Sequence, residues 1–409
     1  MKPPVMLFAV IFTAFILMQC TKDTSEPDSS GTTDGIGLYD GLYSGKGGGA
    51  GSEGSSTGSG TGDSTQQEPV NPGQITAAEW NDLMEWDFWL NLGQNNEFNT
   101  ALENWDFYPM KRYSFVIKDN RYFPVVDCEV ILKSLQGNVV WKARTDNQGK
   151  AELWLDLNGG SHDQPIALVR YMDQEITIVD PMAFEDGVNE VTLPLRGAEE
   201  SGADILFVVD ATGSMGDEIN YLKSELLDVI GRVEDLNAQL SLRVGAVFYR
   251  DEGDDYLTRV SPFSTNLNQT FGFIANQDAD GGGDYEEAVH TALNTAITQL
   301  SWSDNARARL LFLLLDAPPH HTEAIVSELN DIIKNTAEKG IKIIPVSASG
   351  INKDTEFLFR FFAIATNGTY VFITNDSGIG GEHIEATVGD YEVELLNDLM
   401  VRLITENTQ

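Results

Sequence analysis

The sequence contains little cysteine and little positive charge. Cys20 and Cys128 are the only cysteines among 409 residues, so no framework of disulfides stabilises the fold. Lys and Arg together number 26 against 63 Asp and Glu, which gives a formal net charge of -37. A chain with this charge repels phosphate backbones, and nucleic acid is therefore disfavoured as a partner. The acidity attracts divalent cations, although most of these carboxylates serve solubility.

Long uncharged apolar runs are confined to the N terminus. The run from Val5 to Met18 is too short to span a bilayer and has the length of a signal-peptide core. It ends in Leu17-Met18-Gln19-Cys20, which resembles the lipobox of bacterial lipoproteins, particularly the looser Bacteroidetes type, because Gln19 stands where a small residue is usual. The resemblance implies a signal peptide over residues 1–19 and a lipid on Cys20. A plain secretory signal is the alternative.

The lipoprotein resemblance also implies a location in the envelope of a Gram-negative cell. The lipid would anchor the chain in a membrane, most simply the outer membrane. The acidic residues 21–28 are similar to short export tags of surface-exposed lipoproteins. Residues 20–73 are then dominated by Gly, Ser, Thr and Asp, which cannot bury enough apolar surface to order the chain. We therefore predict a disordered N-terminal tether between the lipid and the folded part.

Residues 74–110 carry the first helical pattern. Thr76 followed by Glu79 is a capping-box signature, and apolar residues continue at helical spacing beyond Trp80. Trp80, Trp86 and Trp89 could form a platform for a sugar. The more usual interpretation is that such tryptophans pack a helix onto a neighbouring domain.

Residues 111–198 alternate with a period of two, which predicts short strands separated by turns. Many short strands at close spacing favour an all-β sandwich. The turn at Thr145–Ala151 resembles that of carboxypeptidase-regulatory-like and bacterial Ig-like modules, which are usually spacers or interaction domains. Cys128 falls within a predicted strand and is interpreted as a buried apolar residue.

Residues 202–409 alternate strands with helices. The strand Asp204–Val209 is almost continuously apolar, as is typical of the buried middle of a parallel sheet. Further strands are predicted at 242–248, 310–315, 341–346 and 370–373, and helices at 216–236, 285–299, 323–338 and 356–365. The predicted fold class is α/β, a doubly wound parallel sheet preceded by the sandwich and the tether. Ligands bind such sheets at the carboxyl ends of the strands.

Oxygen-bearing side chains lie at those carboxyl ends. The first strand runs into Asp210, followed at alternate positions by Thr212 and Ser214, and the third ends at Asp316. Between them the acidic, glycine-rich segment Gly281–Glu287 opens a helix. The three loops converge on one edge of such a sheet. Their carboxylates and hydroxyls are hard oxygen ligands suited to Mg²⁺ or Ca²⁺.

These motifs, in this order, resemble the metal-ion-dependent adhesion site of von Willebrand factor A domains. Thr212 stands at a usual serine and keeps the hydroxyl, whereas Asp284 stands where integrin-type domains carry threonine, and Glu286 replaces a usual proline. The extra carboxylate makes the site more negative. The resemblance implies a divalent cation, Mg²⁺ above Ca²⁺ or Mn²⁺, held by Asp210, Thr212, Ser214, Asp284 and Asp316.

Other polar clusters are weaker candidates. Asp251 follows the second strand. It either contacts the metal-ligating residues without binding the ion itself or lies in a solvated loop, which is the more usual situation. His320 and His321 suggest zinc, but adjacent side chains rarely chelate one ion together and no cysteine partner follows. The sequence contains no nucleophile–base set and no phosphate-binding lysine loop, so an enzyme is not expected.

The expected function is therefore adhesion or protein interaction, in which the cation binds a carboxylate that a protein ligand presents. The alternative is a scaffolding lipoprotein in which the metal only stiffens loops and the sandwich makes the contacts. Family members couple the site to movement of the last helix. An apolar stripe on the last predicted helix is compatible with this or with simple packing, and consists of Val393, Leu396, Leu399, Met400 and Leu403.

Overall fold

The apolar strand after residue 202 lies in the middle of an eight-stranded sheet. In this computed structural model, residues 71–160, 164–236 and 240–409 are described, and all of them belong to one unit that spans Gln67–Gln409. Successive residues of the strand point to opposite faces. Ile205, Phe207 and Val209 join one buried apolar cluster, whereas Leu206 and Val208 join the other. The strand is therefore covered on both sides, as predicted.

The strands and helices of the described residues follow in chain order. The strands are β1 (Thr76–Trp80), β2 (Arg112–Lys118), β3 (Glu129–Lys133), β4 (Val139–Arg144), β5 (Lys150–Trp154), β6 (Ile166–Tyr171), β7 (Gln174–Val179), β8 (Asn189–Thr192), β9 (Gly202–Asp210), β10 (Ser241–Tyr249), β11 (Thr258–Ser264), β12 (Ala308–Leu315), β13 (Lys342–Ser347), β14 (Tyr370–Ile373) and β15 (Val393–Leu395). The α-helices are α1 (Trp86–Asn91), α2 (Asn96–Trp105), α3 (Ile219–Leu236), α4 (Leu267–Ala275), α5 (Val289–Asn294), α6 (Glu323–Glu338), α7 (Lys353–Ala365) and α8 (Leu396–Thr408).

The large sheet has the order β11-β10-β9-β12-β13-β14-β1-β15. Five adjacent strands, β10, β9, β12, β13 and β14, run parallel to one another. The sheet is extended by antiparallel pairing, with β11 on one side and with β1 and then β15 on the other. Helices α3, α4 and α8 cover one face, and α5, α6 and α7 cover the other. This confirms the predicted doubly wound α/β plan.

The strands between β1 and β9 form two smaller sheets, of order β5-β2-β8 and β4-β3-β6-β7. Cys128 is fully buried there, as predicted. The region is sandwich-like, in agreement with the expected all-β character. A relation to Ig-like modules stays a prediction.

The prediction that a helix begins at Thr76 is wrong. Residues 76–80 form the strand β1, which pairs with β14 on one side and β15 on the other. Its side chains alternate between the two buried clusters, with Ala77 on one face and Ala78 on the other. The capping-box pattern is local, whereas pairing with a strand on each side provides hydrogen-bond partners for backbone groups that burial removes from water. Helices do occur later in the segment, and Asn95 caps α2 by accepting bonds from two backbone N–H groups.

β1 also changes the organisation predicted from the sequence. The large sheet receives a strand from residues 76–80, before the sandwich-like region, and not only strands from 202 onward. The sandwich-like region is consequently enclosed in sequence between β1 and β9. Val393 of the predicted apolar stripe lies in β15 instead of the last helix, while the other four stripe residues are buried on α8.

The tryptophans of the N-terminal segment are packing residues. Trp80, Trp86 and Trp89 are all buried, and the Trp89 ring meets Phe98 and Phe361 edge to face. The packing interpretation is thus confirmed, and an exposed sugar platform is not formed by these rings. Among the described residues no helix is both long and apolar enough to cross a membrane. The predictions for Cys20 and the signal peptide, and most of the tether, fall outside those residues.

The sandwich-like region is attached to the edge of the large sheet where β12 and β13 begin. Arg309 and Asp127 form a buried bidentate pair with N–O distances of 2.8 and 3.0 Å. Lys342 contacts Asp146 at 3.0 Å. Both cations lie near the amino ends of their strands. The opposite edge, where the predicted site residues lie, is therefore not covered by this attachment.

Candidate metal centre

Two neighbouring strands position the acidic residues of the site. Asp210 is the last residue of β9, and Asp316 follows the last residue of β12. The strands are parallel partners with Val209 opposite Leu314, so the two carboxylates leave the sheet at the same edge. Asp210 has 0% of its surface exposed and Asp316 is also buried. Neighbouring strand ends therefore bring two buried carboxylates together.

The turn after β9 adds two hydroxyls. Oδ1 of Asp210 accepts hydrogen bonds from the Thr212 backbone N–H, at 2.8 Å, and from the Thr212 hydroxyl, at 2.6 Å. The Thr212 and Ser214 hydroxyl oxygens are 3.1 Å apart. Thr212 is buried, whereas Ser214 is exposed. The alternating side chains thus form a continuous row of oxygens from the sheet edge to the surface.

The glycine-rich loop packs directly on this turn. The Gly213 N–H donates to the Gly281 carbonyl at 3.1 Å, and the Asp280 N–H donates to the Ala211 carbonyl at 3.0 Å. Gly281 has a φ of 83°, and a Cβ atom there would lie 2.4 Å from the carboxylate oxygens of Asp254. A residue with a side chain cannot replace it without moving Asp254. The positive φ and the contact with Asp254 therefore both favour glycine at this position.

Two carboxylate oxygens in this centre have no hydrogen-bond partner at bonding distance within the described part of the chain, although the Tyr249 and Ser214 hydroxyls lie close enough to act on the pKa of Asp210 and Asp316, respectively. The two oxygens are Oδ2 of Asp210 and Oδ1 of Asp316, both buried among the described residues. Burial raises the pKa of Asp210, and burial together with the Asp210 charge raises the pKa of Asp316, while the Ser214 hydroxyl acts to lower it. A buried acceptor without a donor is costly. Among the described residues, these two oxygens therefore lack the partner that would stabilise their ionised form.

Glu287 is a member of this centre that the sequence reasoning did not single out. It is 2% exposed, and its Oε2 also has no partner among the described residues. Burial, and then the charge of Asp210, raise the pKa of Glu287 to about 9. The signal that could have identified it is its place at the end of the glycine-rich motif, directly before the apolar start of α5. Its Oε1 lies close to Gly282, and a Cβ atom added at Gly282 would lie 2.9 Å from it.

Asp284, by contrast, is exposed and grouped with Asp251 and His320. One ligand atom from each of these three residues lies within 4.8 Å of the others. Asp251 is 7% exposed, so the expectation of a solvated loop is wrong for this side chain. Its loop folds back because Oδ2 of Asp254 accepts the N–H groups of both Asp251 and Gly282. The role of Asp284 as a ligand of the Asp210 centre stays a prediction.

The residues at the Asp210 centre fit a divalent cation. The fit rests on the unpartnered buried oxygens, because a cation would give each the positive partner it lacks. The atoms available to coordinate a metal are carboxylate and hydroxyl oxygens, which are the ligands of hard cations such as Mg²⁺ and Ca²⁺. They come from Asp210, Thr212, Ser214 and Asp316, with Glu287 beside them.

Comparison with known proteins agrees with this arrangement. The profile of the von Willebrand factor type A domain matches residues 204–382. An ariadne-like RING finger protein of Acanthamoeba polyphaga mimivirus is 30% identical over 134 residues, which is 32% of this chain and 13% of that protein. An alpha-protein kinase of Dictyostelium discoideum is 26% identical over 185 residues, or 44% of this chain and 29% of the kinase. The collagen alpha-6(VI) chain of Homo sapiens is 24% identical over 188 residues, which is 45% of this chain and 8% of the collagen chain.

The matched region thus spans less than a third of each of these relatives. Among solved structures, the conserved hypothetical protein BatB of Bacteroides thetaiotaomicron is similar over 50% of this chain and 98% of its own, at 14% identity and a TM-score of 0.34. Type A domains generally bind protein ligands, commonly hold a divalent metal and are generally not enzymes. Residues 204–382 of this chain are therefore a von Willebrand factor type A domain.

Proposed function

We propose that this protein binds a protein ligand through a divalent cation held by its type A domain. One observation carries the proposal: buried, unpartnered carboxylate oxygens of Asp210 and Asp316 lie at a sheet edge where Ser214 reaches the surface. When bound, the cation supplies positive charge and an open coordination position for a carboxylate of the ligand. Every ligand atom is a hard oxygen, which suits Mg²⁺ or Ca²⁺, and the resemblance to type A domains makes Mg²⁺ the first ion to test.

The chain's own residues determine how such a site binds. Asp210 is held by the end of β9 and by its bonds to Thr212, so its free oxygen has a fixed direction. Thr212 and Ser214 contribute neutral oxygens, which leave more of the ion's charge for the ligand. Asp316 adds a second carboxylate from the neighbouring strand. A preorganised oxygen set loses little entropy when the ion binds.

We further propose that the chain is a lipoprotein of the cell envelope, anchored in the outer membrane through Cys20. The support is the lipobox-like sequence before Cys20, and the Gly/Ser-rich residues up to 73 would act as the tether. Substitution Cys20→Ala should release the protein from the membrane fraction or leave its signal peptide uncleaved. A variant that matures and fractionates like the wild type would refute the lipid anchor and leave the metal proposal untouched.

The ligand-binding proposal is tested by capture of partners from intact cells. Wild-type protein should retain a partner in Mg²⁺ and lose it in EDTA, while Asp210→Ala should retain none in either condition. Asp173→Ala removes one exposed carboxylate from the sandwich-like region and serves as the control for charge. Equal capture by the wild type and Asp210→Ala would contradict the proposal.

A scaffolding role is the second candidate, and one observation favours it. The turn after β2 exposes two aromatic side chains, Tyr122 at 75% and Phe123 at 59%. Exposed aromatic residues are frequent in protein interfaces. If the sandwich-like region makes the contact, a Tyr122→Ser, Phe123→Ser double variant should lose the partner, and EDTA should have no effect. The EDTA result therefore separates the two functions.

A further inference from the structure

Arg250 is a buried cation at the sheet edge that carries the Asp210 centre. It directly follows β10, whose last residue Tyr249 lies opposite Asp210 in the neighbouring strand β9. Arg250 therefore leaves the sheet beside the turn that carries Thr212. The residue is only 6% exposed. A charge in such a position is costly unless polar groups of the protein surround it.

The Arg250 guanidinium donates to two backbone carbonyls on different segments of the chain. Its Nε is 3.1 Å from the Ala211 oxygen, in the turn after β9. Its Nη2 is 2.9 Å from the Asp278 oxygen, in the segment that leads into the glycine-rich loop. The Ala211 oxygen also accepts the Asp280 N–H at 3.0 Å. One side chain thus ties the turn to the start of that loop.

Pairing with a carboxylate does not explain the burial of Arg250. The Asp280 carboxylate is 3.8 Å from Nη1 and its side chain is 80% exposed, so this ion pair contributes little. The situation differs at the far edge of the sheet, where buried Arg309 makes its bidentate pair with Asp127. The planar fork of an arginine donates to separate acceptors at fixed angles, which the point charge of a lysine does not reproduce. The contacts of Arg250 are therefore those of a group that orients backbone.

The ring of Tyr256 contacts the guanidinium and also provides a comparison within the same structure. Its centre is 4.7 Å from the guanidinium carbon of Arg250 and 3.9 Å from that of Arg259. Arg259 is exposed, and its Nη1 lies 3.5 Å from the side-chain oxygen of Gln277. The two arginines therefore share one ring, and of the two it is Arg250 whose hydrogen bonds reach the turn.

We propose that Arg250 is a positioning residue of the cation site. This role rests on the proposed function and adds to it a residue that sets cation affinity without binding the ion. By holding Ala211 and Asp278 together, Arg250 fixes the turn from which the oxygens of Thr212 and Ser214 reach the ion. Replacement of a group that orients metal ligands typically weakens metal binding by about 10- to 100-fold. Arg250 should have an effect of this size although it provides no ligand atom.

Arginine-to-lysine substitutions test this role in the full-length protein, with Mg²⁺ affinity measured by calorimetric titration. Arg250→Lys keeps the charge but loses the fork, so its Kd should rise by about 10- to 100-fold. Arg309→Lys makes the same change in a buried arginine at the opposite edge. Urea unfolding in EDTA should show that it is less stable than wild type, while its Kd is unchanged. Arg259→Lys alters the contact with Tyr256 without touching the turn and should also bind as wild type does.

The outcomes separate positioning from general stability and from the proposed function. A loss of affinity in Arg250→Lys alone supports positioning. Equal losses in Arg250→Lys and Arg309→Lys would show that affinity follows stability and would overturn the proposal, as would wild-type affinity in Arg250→Lys. If that variant does not fold, Arg250→Gln, which buries no charge, takes its place and should show the same loss. Absence of Mg²⁺ binding by wild type would instead refute the cation site itself, and this role with it.

Discussion

The carboxylate of Glu225 on α3 accepts the backbone N–H of Gly73, with oxygen–nitrogen distances of 2.8 and 2.9 Å. The same side chain also accepts the N–H groups of Gln74 and Ile75. Glu225 is fully buried. One acidic side chain therefore fixes the point at which the chain enters the large sheet and begins β1.

Substitution Glu225→Ala should destabilise the protein by about 3 kcal/mol, because three backbone donors would lose a charged acceptor. Glu234→Ala, at an exposed position of the same helix, is the control and should change little. Urea unfolding measures both. A Glu225 variant as stable as the control would mean that the entry of β1 does not depend on this contact.

The glycine-rich loop offers a matched pair of substitutions. Gly281→Ala places a Cβ against Asp254 at a positive φ, which costs roughly 1–3 kcal/mol of strain. Cation affinity at the Asp210 centre should fall, since this loop packs on the turn that carries Thr212. A Cβ atom at position 283 would have no neighbouring atom within 4 Å, so Gly283→Ala should bind the cation as wild type does. Calorimetric titration with Mg²⁺ compares the two, and equal affinities would show that the loop is not a support of the site.

The buried carboxyls predict how stability depends on pH without a cation. The pKa values of Asp210 and Asp316 are raised, and that of Glu287 is raised to about 9, above their values in the unfolded chain. The folded state therefore holds protons that the unfolded state has released. The stability these groups contribute is present below about pH 4 and is lost as the pH rises toward about 9.

Unfolding in EDTA should consequently show less stability at about pH 8 than at about pH 5, and Mg²⁺ should restore more at the higher pH. Glu287→Gln cannot lose a proton and should show a smaller decline over this range. Acidic groups far from this centre affect both proteins equally, so the difference between the two curves reports Glu287 together with its effect on neighbouring carboxyls. If the two proteins lose stability in parallel as the pH rises, the Glu287 carboxyl does not contribute to the pH dependence.

Much of the fold was predictable because its central strands and helices carry strong local patterns. α6 was expected at residues 323–338 and occupies those residues, and the uninterrupted apolar run of β9 correctly indicated a strand buried on both faces. β11 was missed because Pro262 interrupts its pattern, which an edge strand tolerates. β1 was misassigned because its state depends on strands almost 300 residues away, at Tyr370 and beyond.

The site was predictable to the extent that it follows strand ends. Asp210, Thr212, Ser214 and Asp316 lie together because parallel strands end at one edge. The burial of Glu287 and Asp251 was not predictable, since spacing along the chain does not report which carboxylates are covered by other loops. The contact between Asp251 and His320 likewise depends on loops that only the tertiary fold brings together.

The central claim is that Asp210 holds a divalent cation, and thermal unfolding of the full-length protein with and without Mg²⁺ tests it most directly. A ligand that binds only the folded state stabilises it by about 2.7 kcal/mol at a hundredfold excess over Kd. Wild type should therefore melt at a higher temperature in Mg²⁺. Asp251→Ala should keep most of this increase, and Asp210→Ala should lose it and melt at or above the wild-type temperature in EDTA, because it removes one of several repelling carboxylates. An unchanged melting temperature of wild type at millimolar Mg²⁺ would contradict the claim.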